Sequence, residues 1–431
     1  MENIASLIKN VYDVCSLDIN SLQKDSQVVV AWPPLSSMSN FTVEWDQPQT
    51  KPNTMYIHIP FCTGICTFCN YVTKSIDQNN QEITNYLNLL EQEAILLASN
   101  LNTKKINVSS LYIGGGTPSM LNEKNLTQLL EIIDQYVCIV PGGEFTLEGC
   151  PETLTLKKLK ILKNAGVNRI SIGVESFDDN ILKLANRRHN KKQTIFCIEN
   201  IHAAGYKDFS IDLINNLPGS NHQTAITDSQ YAINTNVPSL TLYHYHVKPK
   251  SINFKKTSCS EYLSIKQNQI VFHQIYKDQL LNNYTEYLVD CYSKNNLKFR
   301  HQLLKWNENA NQLTLGQGCY GYYENTQFRI HTKFSAYQTC IKNNQLPIAH
   351  SHQLSTSELE MRKFLLNLRK TRKIPAKLTK NINHKLLKLI DLNLLEQKSD
   401  NFLITNIGTL FFDEIQRLIG HANNNFNKIT G

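Results

Sequence analysis

Two hydrophobic periods alternate through the middle of the chain. Ile83, Leu87, Leu90, Ala94 and Leu97 fall three and four residues apart, which predicts an amphipathic helix over 81–99. On either side come short runs rich in Ile, Leu and Tyr: Tyr56-Ile-His58-Ile, closed by Pro60, and Ser110-Leu-Tyr-Ile113. These suit strands, and a proline ends one. A helix over 122–137 follows, with Asn122 as its N-cap and Leu126, Leu129, Leu130 and Ile133 on one face. Strand Glu144–Glu148 then leads to a helix near 155–165 that Gly166 closes. Strand Arg169–Val174 leads to helices near 178–185 and 191–204, the latter ended by Gly205. Strand Phe209–Ile214 reaches Leu217-Pro-Gly219, and strand Leu240–His246 reaches Pro249. Six strand–helix units, roughly 30 to 50 residues apart, predict an α/β fold with a parallel sheet and crossover helices. Six units instead of eight predict an open, partial (β/α)6 barrel over 55–250.

The flanks are patterned differently. Residues 1–54 show little periodicity and a Trp32-Pro33-Pro34 turn, and are expected to form an extension packed on or over the barrel. A helix near 260–282 opens a region, 251–354, expected to be otherwise irregular and to cover the barrel at its substrate side. Ser355, with Glu358 three residues on, is a capping pair that starts the last stretch. Two or three helices, a short strand near Asn401–Thr405 and a helix after Gly408 predict a small winged-helix-like module over 355–431.

Composition narrows the class. With 41% hydrophobic and 19% charged residues among 431, the chain can bury a core and is not disordered, collagenous or coiled-coil. No apolar run approaches the ~18 residues of a membrane span. Glu2 and Lys9 interrupt the start, which fits no signal peptide. A formal charge of +8, from 44 basic and 36 acidic residues, is mild at this length. The basic stretch from Arg362 to Lys388 is expected to be a solvated helix face, so nucleic acid is disfavoured as a partner. Eleven cysteines, an odd number without an export signal, predict a reducing, cytoplasmic setting.

Eight of those cysteines are scattered among apolar neighbours, as in Tyr136-Val-Cys138-Ile-Val140, and are expected to be small buried hydrophobes. The other three lie within eight residues: Cys62, Cys66 and Cys69. A structural zinc site takes four ligands in two spaced pairs, and no second pair follows nearby. A redox CxxC would use Cys66 and Cys69 and leave Cys62 unexplained. Three thiolates on one loop suit a cubane iron–sulfur cluster with one iron lacking a protein ligand. The loop follows a strand, at the edge where α/β barrels gather their chemistry.

Tyr56-x-His58-x-Pro60-Phe-Cys62-x3-Cys66-x2-Cys69, with Gly114-Gly-Gly-Thr-Pro118 one βα unit later, resembles the radical S-adenosylmethionine (SAM) superfamily. The finer resemblance is to the oxygen-independent coproporphyrinogen III oxidase-like family. Ser171-Ile-Gly-Val174, Asn186-Arg187 and Ile211-Asp-Leu213 also carry it, over residues 54 to 350 and less distinctly beyond. The resemblance implies a [4Fe-4S] cluster on the three cysteines, with the fourth iron holding SAM. One electron then splits SAM to a 5′-deoxyadenosyl radical, and a flavodoxin or ferredoxin would supply that electron. It further implies SAM contacts at Gly115, Gly116 and Thr117, packing of Phe68 on adenine or over the cluster, and Glu148 facing SAM. Arg187 and Asp212 would contact that SAM or a second one, as would Glu175, and Tyr56 would lie near the sulfonium. Tyr56 and Glu148 are the candidate catalytic residues.

Two positions depart from the family. Tyr71 stands where the oxidases have a fourth cysteine, and Glu175 where the family usually has Gln. Both bear on the substrate reaction and not on the cluster or the SAM it holds, and Glu175 changes the charge where a second SAM is expected. The expected function is an oxidase-like radical SAM enzyme on a porphyrin-like substrate; the alternatives are a two-SAM methyltransferase or cyclopropanase on a heteroaromatic molecule, or a haem-trafficking chaperone. The chaperones carry a His-Asn-x-x-Tyr-Trp stretch, and its nearest counterpart is His301-Gln-Leu-Leu-Lys-Trp306.

Overall fold

The computed structural model describes residues 2–16, 41–246, 259–307 and 309–422. Trp32-Pro33-Pro34 and Pro249 lie outside the described residues.

Strands β1 (Asn53–Ile59), β2 (Ile106–Gly115), β3 (Val137–Gly149), β4 (Arg169–Glu175), β5 (Asp208–Asn215) and β6 (Ser239–His244) pair in parallel, each with the next in chain order. This is the expected six-stranded partial barrel. Between them run α2 (Gln81–Asn100), α3 (Glu123–Tyr136), α4 (Leu156–Asn164), α5 (Asp179–Leu184), α6 (Lys191–Ala203) and α7 (His222–Asn234). Side-chain caps start the helices at Asn80, Asn122, Thr155 and Asp178, and a full capping box at Asn190 and Gln193 starts α6. Each such cap is worth about 1 kcal/mol. Gly166 and Gly205 follow α4 and α6 at φ +90° and +76°, a region closed to most side chains.

The strands alternate by face. Ile57, Ile113, Leu147, Ile172, Ile211 and Leu242 are buried in one core with Leu87 and Leu90 of α2, Leu126 and Leu129 of α3 and Ile198 of α6. The intervening residues are small or polar and meet one another across the sheet. Ser171 Oγ lies 3.1 Å from Ser210 Oγ, and Arg169 donates to Ser210 Oγ at 2.7 Å. This polar face lines the barrel, and its lower end is filled by Phe299 and His301 at the start of α9 (Arg300–Asn307).

The region expected to be irregular up to residue 350 is built instead of secondary structure. After α8 (Cys259–Leu280), β7 (Thr285–Leu288) and β8 (Cys291–Ser293) add an antiparallel hairpin beside β6. On the opposite edge β9 (Asn311–Leu315) pairs in parallel with β1, and β10 (Tyr320–Tyr323), β11 (Thr326–Ile330) and β12 (Ile348–Gln353) continue antiparallel, with α10 (Phe334–Lys342) inserted. One twelve-stranded sheet results.

The last part holds α11 (Thr356–Thr371), α12 (Asn383–Asp391), α13 (Phe412–Ala422) and a three-stranded antiparallel sheet of β13 (Lys373–Pro375), β14 (Leu395–Lys398) and β15 (Asn401–Ile404). Ser355 and Glu358 form the capping box that the sequence predicts. The lead segment, read as aperiodic, contains a helix, α1 (Glu2–Cys15). Its Ile8, Val11, Tyr12 and Cys15 are buried with Leu386, Phe402, Phe412 and Ile415, in a core separate from the barrel's.

Lys363, Lys370, Lys373, Lys377 and Lys388 of the basic stretch are exposed as expected, but its arginines are engaged. Arg362 is buried, donates to Gln327 Oε1 at 3.1 Å and stacks 4.1 Å from the Tyr322 ring centroid. Arg369 pairs with Asp413 at 3.3 Å and Arg372 with Glu286 at 2.7 Å. Arg362 and Arg372 tie the last module to the rest of the chain, and the Arg369–Asp413 pair lies within it.

Candidate functional site

The cysteine loop leaves β1 at Pro60, on the C-terminal edge of the parallel strands. Phe61–Cys62 pairs with Lys74–Ser75 and closes the loop at its base. Cys69 N donates to Cys66 O at 3.2 Å, a tight turn between two of the thiols. The loop is held from the side by the residues after α5. Thr67 N donates to Ala185 O at 3.1 Å, and Asn186 Nδ2 to Ile65 O at 2.7 Å.

Opposite the loop, the end of β2 passes too close for side chains. A Cβ on Gly116 would stand 2.5 Å from Phe61 O and 2.9 Å from Cys62 Sγ. Gly115, at φ +116°, would meet the His58 imidazole at 2.5 Å. Only glycine tolerates both that dihedral and that approach. Gly116 N and Thr117 N then bond to Ile59 O and Phe61 O at 2.8 and 2.7 Å, and Thr117 Oγ1 reaches Cys62 Sγ at 3.6 Å.

The mouth beside the loop is acidic. Glu148, at the end of β3, accepts from Tyr112 Oη and from Gly115 N, the latter at 2.9 Å. Glu175 sits at a register shift between β4 and β5 with φ +67°, and this bulge turns its carboxylate toward Arg187, 3.5 Å away. Arg187 Nη1 also reaches Cys66 Sγ at 3.5 Å, and Nη2 reaches Cys150 Sγ at 3.2 Å and bonds to Gly173 O. Asp212, half-buried on β5, forms no hydrogen bond or ion pair with the described residues.

Burial pushes the Glu148 carboxyl up, opposed by the bonds from Tyr112 and Gly115. Burial likewise raises Glu175, opposed by Arg187 and reinforced by Glu148. Asp212 is lifted well above the carboxylate range by burial and then by Glu175 and Glu148. Arg187 faces Glu175 and Asp212, and Arg169 acts on Asp212 and Glu148, so a cationic ligand entering here would favour the ionised form of all three carboxyls.

The structure gathers most residues singled out from sequence. Cys62, Cys66, Gly116, Thr117, Glu175 and Arg187 are linked by the contacts above, and Gly115 and Glu148 join through their own bond. Cys69 and Phe68 sit on the same loop, with Phe68 packed against Ile181, Ala185 and Tyr245. Tyr56 is half-buried, stacks on Tyr112 at 6.1 Å and places Oη 3.1 Å from His58 Nδ1.

Sequence reading missed three neighbours. His58 is buried and bonds through Nε2 to Val72 O at 2.8 Å, fixing the loop's far side. Tyr112 orients Glu148. Cys150, expected to be an inert buried thiol, touches both Thr117 and Arg187. Its place two residues after Glu148, at a strand end, is the signal that could have found it. Cys138 is exposed and Cys340 half-buried, against the expectation that both are buried. The Cys259 side chain lies outside the described residues. His301 faces inward, its Nδ1 2.9 Å from Ser110 Oγ and its ring against Tyr112 and Phe299.

The donor set fits an iron–sulfur cubane better than a single ion. Among the described residues, only His244, His273 and Asp290 bring three ligating atoms within 4.8 Å of one another, so the three cysteine sulfurs are spread more widely than one ion allows. They are free thiols, and the Gly116 cradle leaves room beside Cys62 that a Cβ would fill. Burial pushes the Cys62 thiol up to about 11, so a metal must displace its proton.

The family model described as the radical SAM superfamily matches residues 56–229. The heme chaperone HemW of Bacillus subtilis (strain 168) is 29% identical over 327 residues, 75% of this chain and 84% of that protein. Heme chaperone HemW of Buchnera aphidicola subsp. Schizaphis graminum is 30% identical over 282 residues, 64% of this chain and 71% of its own. Among solved structures, coproporphyrinogen III oxidase (HemN) from Escherichia coli aligns with a TM-score of 0.77 at 19% identity, covering 90% of this chain and 95% of that one, a likeness of fold. The chain belongs to the radical SAM superfamily, in its HemN-like family, and that membership implies a [4Fe-4S] cluster and SAM as cofactors.

Proposed function

We propose that this chain binds haem and passes it on, as a haem-trafficking chaperone built on a radical SAM barrel. The observation that carries the reading is that relatives named heme chaperone HemW, from Bacillus, Buchnera, Lactococcus and Haemophilus, are 27–31% identical to this chain over 70–84% of their own lengths. The His301 stretch does not carry it, because that imidazole is turned into the barrel and burial holds it down to about 3.

Cys62, Cys66 and Cys69 would hold the cluster, with Arg187 beside Cys66. Gly115 and Gly116 would let backbone approach the methionine part of SAM, and Thr117 would offer a hydroxyl. The acidic wall of Glu148, Glu175 and Asp212 complements the positive sulfonium and ammonium of SAM, and Arg187 its carboxylate. Tyr56 and Tyr112 would form the apolar side of that space, and Phe68 would shield the loop from water. When bound and reduced, by a flavodoxin or ferredoxin, the cluster supplies the electron for cleaving SAM.

Two features favour the chaperone over an oxidase acting on coproporphyrinogen. Tyr71, at the position of the oxidases' fourth cysteine, is 68% exposed and offers no thiol. Glu175 engages Arg187 and brings a negative charge where the family's Gln is neutral. Both change the surroundings of a substrate while leaving the cluster loop intact.

The test is anaerobic haem titration of the reconstituted full chain, alongside incubation with SAM, dithionite and coproporphyrinogen. One haem per chain, transferred to an apo-acceptor, with coproporphyrinogen unchanged, is the expected result. Decarboxylated porphyrinogen without stoichiometric haem binding would replace the chaperone with the oxidase-like enzyme.

A further inference from the structure

A second constellation lies at the other end of the parallel run. We propose that His244, His273 and Asp290 form a binding site for one divalent first-row transition metal ion, zinc or ferrous iron, separate from the cysteine loop. Two imidazoles and a carboxylate are a donor set such ions favour.

Three elements distant in sequence bring the groups together. His244 ends β6, His273 lies on α8, and Asp290 occupies the turn between β7 and β8. Asp290 is held at φ +68°, with N donating to Glu286 Oε1 and O accepting from Leu242 N, each at 2.9 Å. Its carboxylate therefore has little freedom. Oδ1 lies 2.7 Å from His273 Nε2, and Oδ2 lies 3.3 Å from His244 Nε2.

The His273 contact is the informative one. His273 is 1% exposed and Asp290 7%. Although Nε2 and Oδ1 are 2.7 Å apart, they do not meet in hydrogen-bond geometry, and neither atom has another partner. Buried polar atoms are otherwise paired almost without exception. A cation drawing on both lone pairs satisfies the two at once.

Asn215 Nδ2 donates to Gln269 O at 2.8 Å and stands 3.1 Å from His244 Nδ1, which holds the ring with Nε2 toward Asp290 Oδ2, 3.3 Å away.

Nearby cations do not fill the site. Arg369 stands 3.9 Å from Asp290 Oδ2 and pairs with Asp413 at 3.3 Å. Lys266 pairs with Glu414 at 2.7 Å, and Lys277 with Glu286 at 3.1 Å. The adjoining cavity, about 20 Å³, has room for one ion or water but no organic ligand.

The experiment uses the full chain with Cys62, Cys66 and Cys69 replaced by Ala, so that no cluster competes, titrated with Co²⁺ and then Zn²⁺. One equivalent of Co²⁺ with ligand-field absorption, displaced by Zn²⁺, is expected. Affinity should fall by at least about 10- to 100-fold in D290N or H273Q, since even an outer-shell partner is worth that much. X-ray absorption of the zinc-loaded triple variant should show imidazole nitrogens, a readout independent of whether the D290N and H273Q proteins fold. No metal uptake, sulfur ligands, or unchanged affinity in both ligand variants would overturn the site.

Discussion

At the scale of single residues, the cysteine loop depends on what is missing from Gly116 as much as on its thiols. An added methyl would press on the Phe61 carbonyl, which is backbone and cannot swing aside as a side chain could. Overpacking of this kind costs about 1–3 kcal/mol, and here the strain falls on the residue next to Cys62. Gly116→Ala is expected to fold, with a lowered melting temperature, and to incorporate well under half the iron per chain after anaerobic reconstitution. Full iron content in that variant would show that the close approach is incidental. The Cys spacing and Gly-Gly-Gly-Thr-Pro are legible in the sequence because they are contiguous. The roles of Tyr112 and His58 are not, because each enters the site through register: Tyr112 pairs beside Tyr56, and His58 beside Gly114. A linear reading has no access to those pairings.

At the scale of elements, the helices were legible where period and cap agree. The helix expected over 81–99 runs from Gln81 to Asn100, and Asn122 and Ser355 cap where predicted. The sheet's outer strands were not. β7 through β12 are three to six residues long, and β12 reads Ile348-Ala-His-Ser-His-Gln353, with no apolar alternation. Their pairing depends on distant partners, which override local propensity. One such attachment runs through Glu93 on α2, whose Oε2 accepts from Gly316 N and Tyr337 Oη, each at 2.7 Å, while Tyr86 bonds to His58 O. Burial raises Glu93 from 4.5 to about 7. Its folded-state pKa lies above the unfolded value, so its contribution is complete below the unfolded pKa and is lost as pH rises through about 7. The gap corresponds to about 3 kcal/mol once fully ionised. Between about pH 5 and 8, wild type should lose stability relative to Glu93→Gln, whose neutral amide keeps an acceptor for both donors. Parallel denaturation profiles for the two proteins over that range would count against this account.

At the scale of the whole molecule, two cores are joined by apolar as well as charged contacts: Ile270 of α8 and Val289 lie in the second core, and Leu366 of α11 clusters with Leu288, Cys291 and Trp306. The barrel core runs from Val43 to Ile341, and the second core combines α1 with the C-terminal helices and strands and with Ile270 and Val289. Between them stand Arg362 on Gln327, Arg372 on Glu286, and Lys277, whose Nζ reaches Glu286 at 3.1 Å and Thr409 Oγ1 at 2.8 Å. The barrel's limits were readable from βα periodicity, whereas the partnership of α1 with a module some 370 residues away was not, since one amphipathic helix does not declare its partner. That arrangement makes α1 a structural part of the C-terminal module. Ile8, Val11, Tyr12 and Cys15 are each at most 6% exposed, and removing them would uncover Leu386, Phe412 and Ile415. Exposing side chains of this size costs about 1.5–3 kcal/mol each, enough to unfold a module this small, locally. A chain lacking residues 1–16 should therefore lose amide-exchange protection in α12, α13 and β13–β15 by at least about tenfold, while β1–β6 keep theirs, because sub-global units open independently. Exchange followed by mass spectrometry decides it: equal loss in the barrel strands would mean one cooperative unit, and unchanged protection in α12 and α13 would mean that α1 contributes nothing to the module it covers.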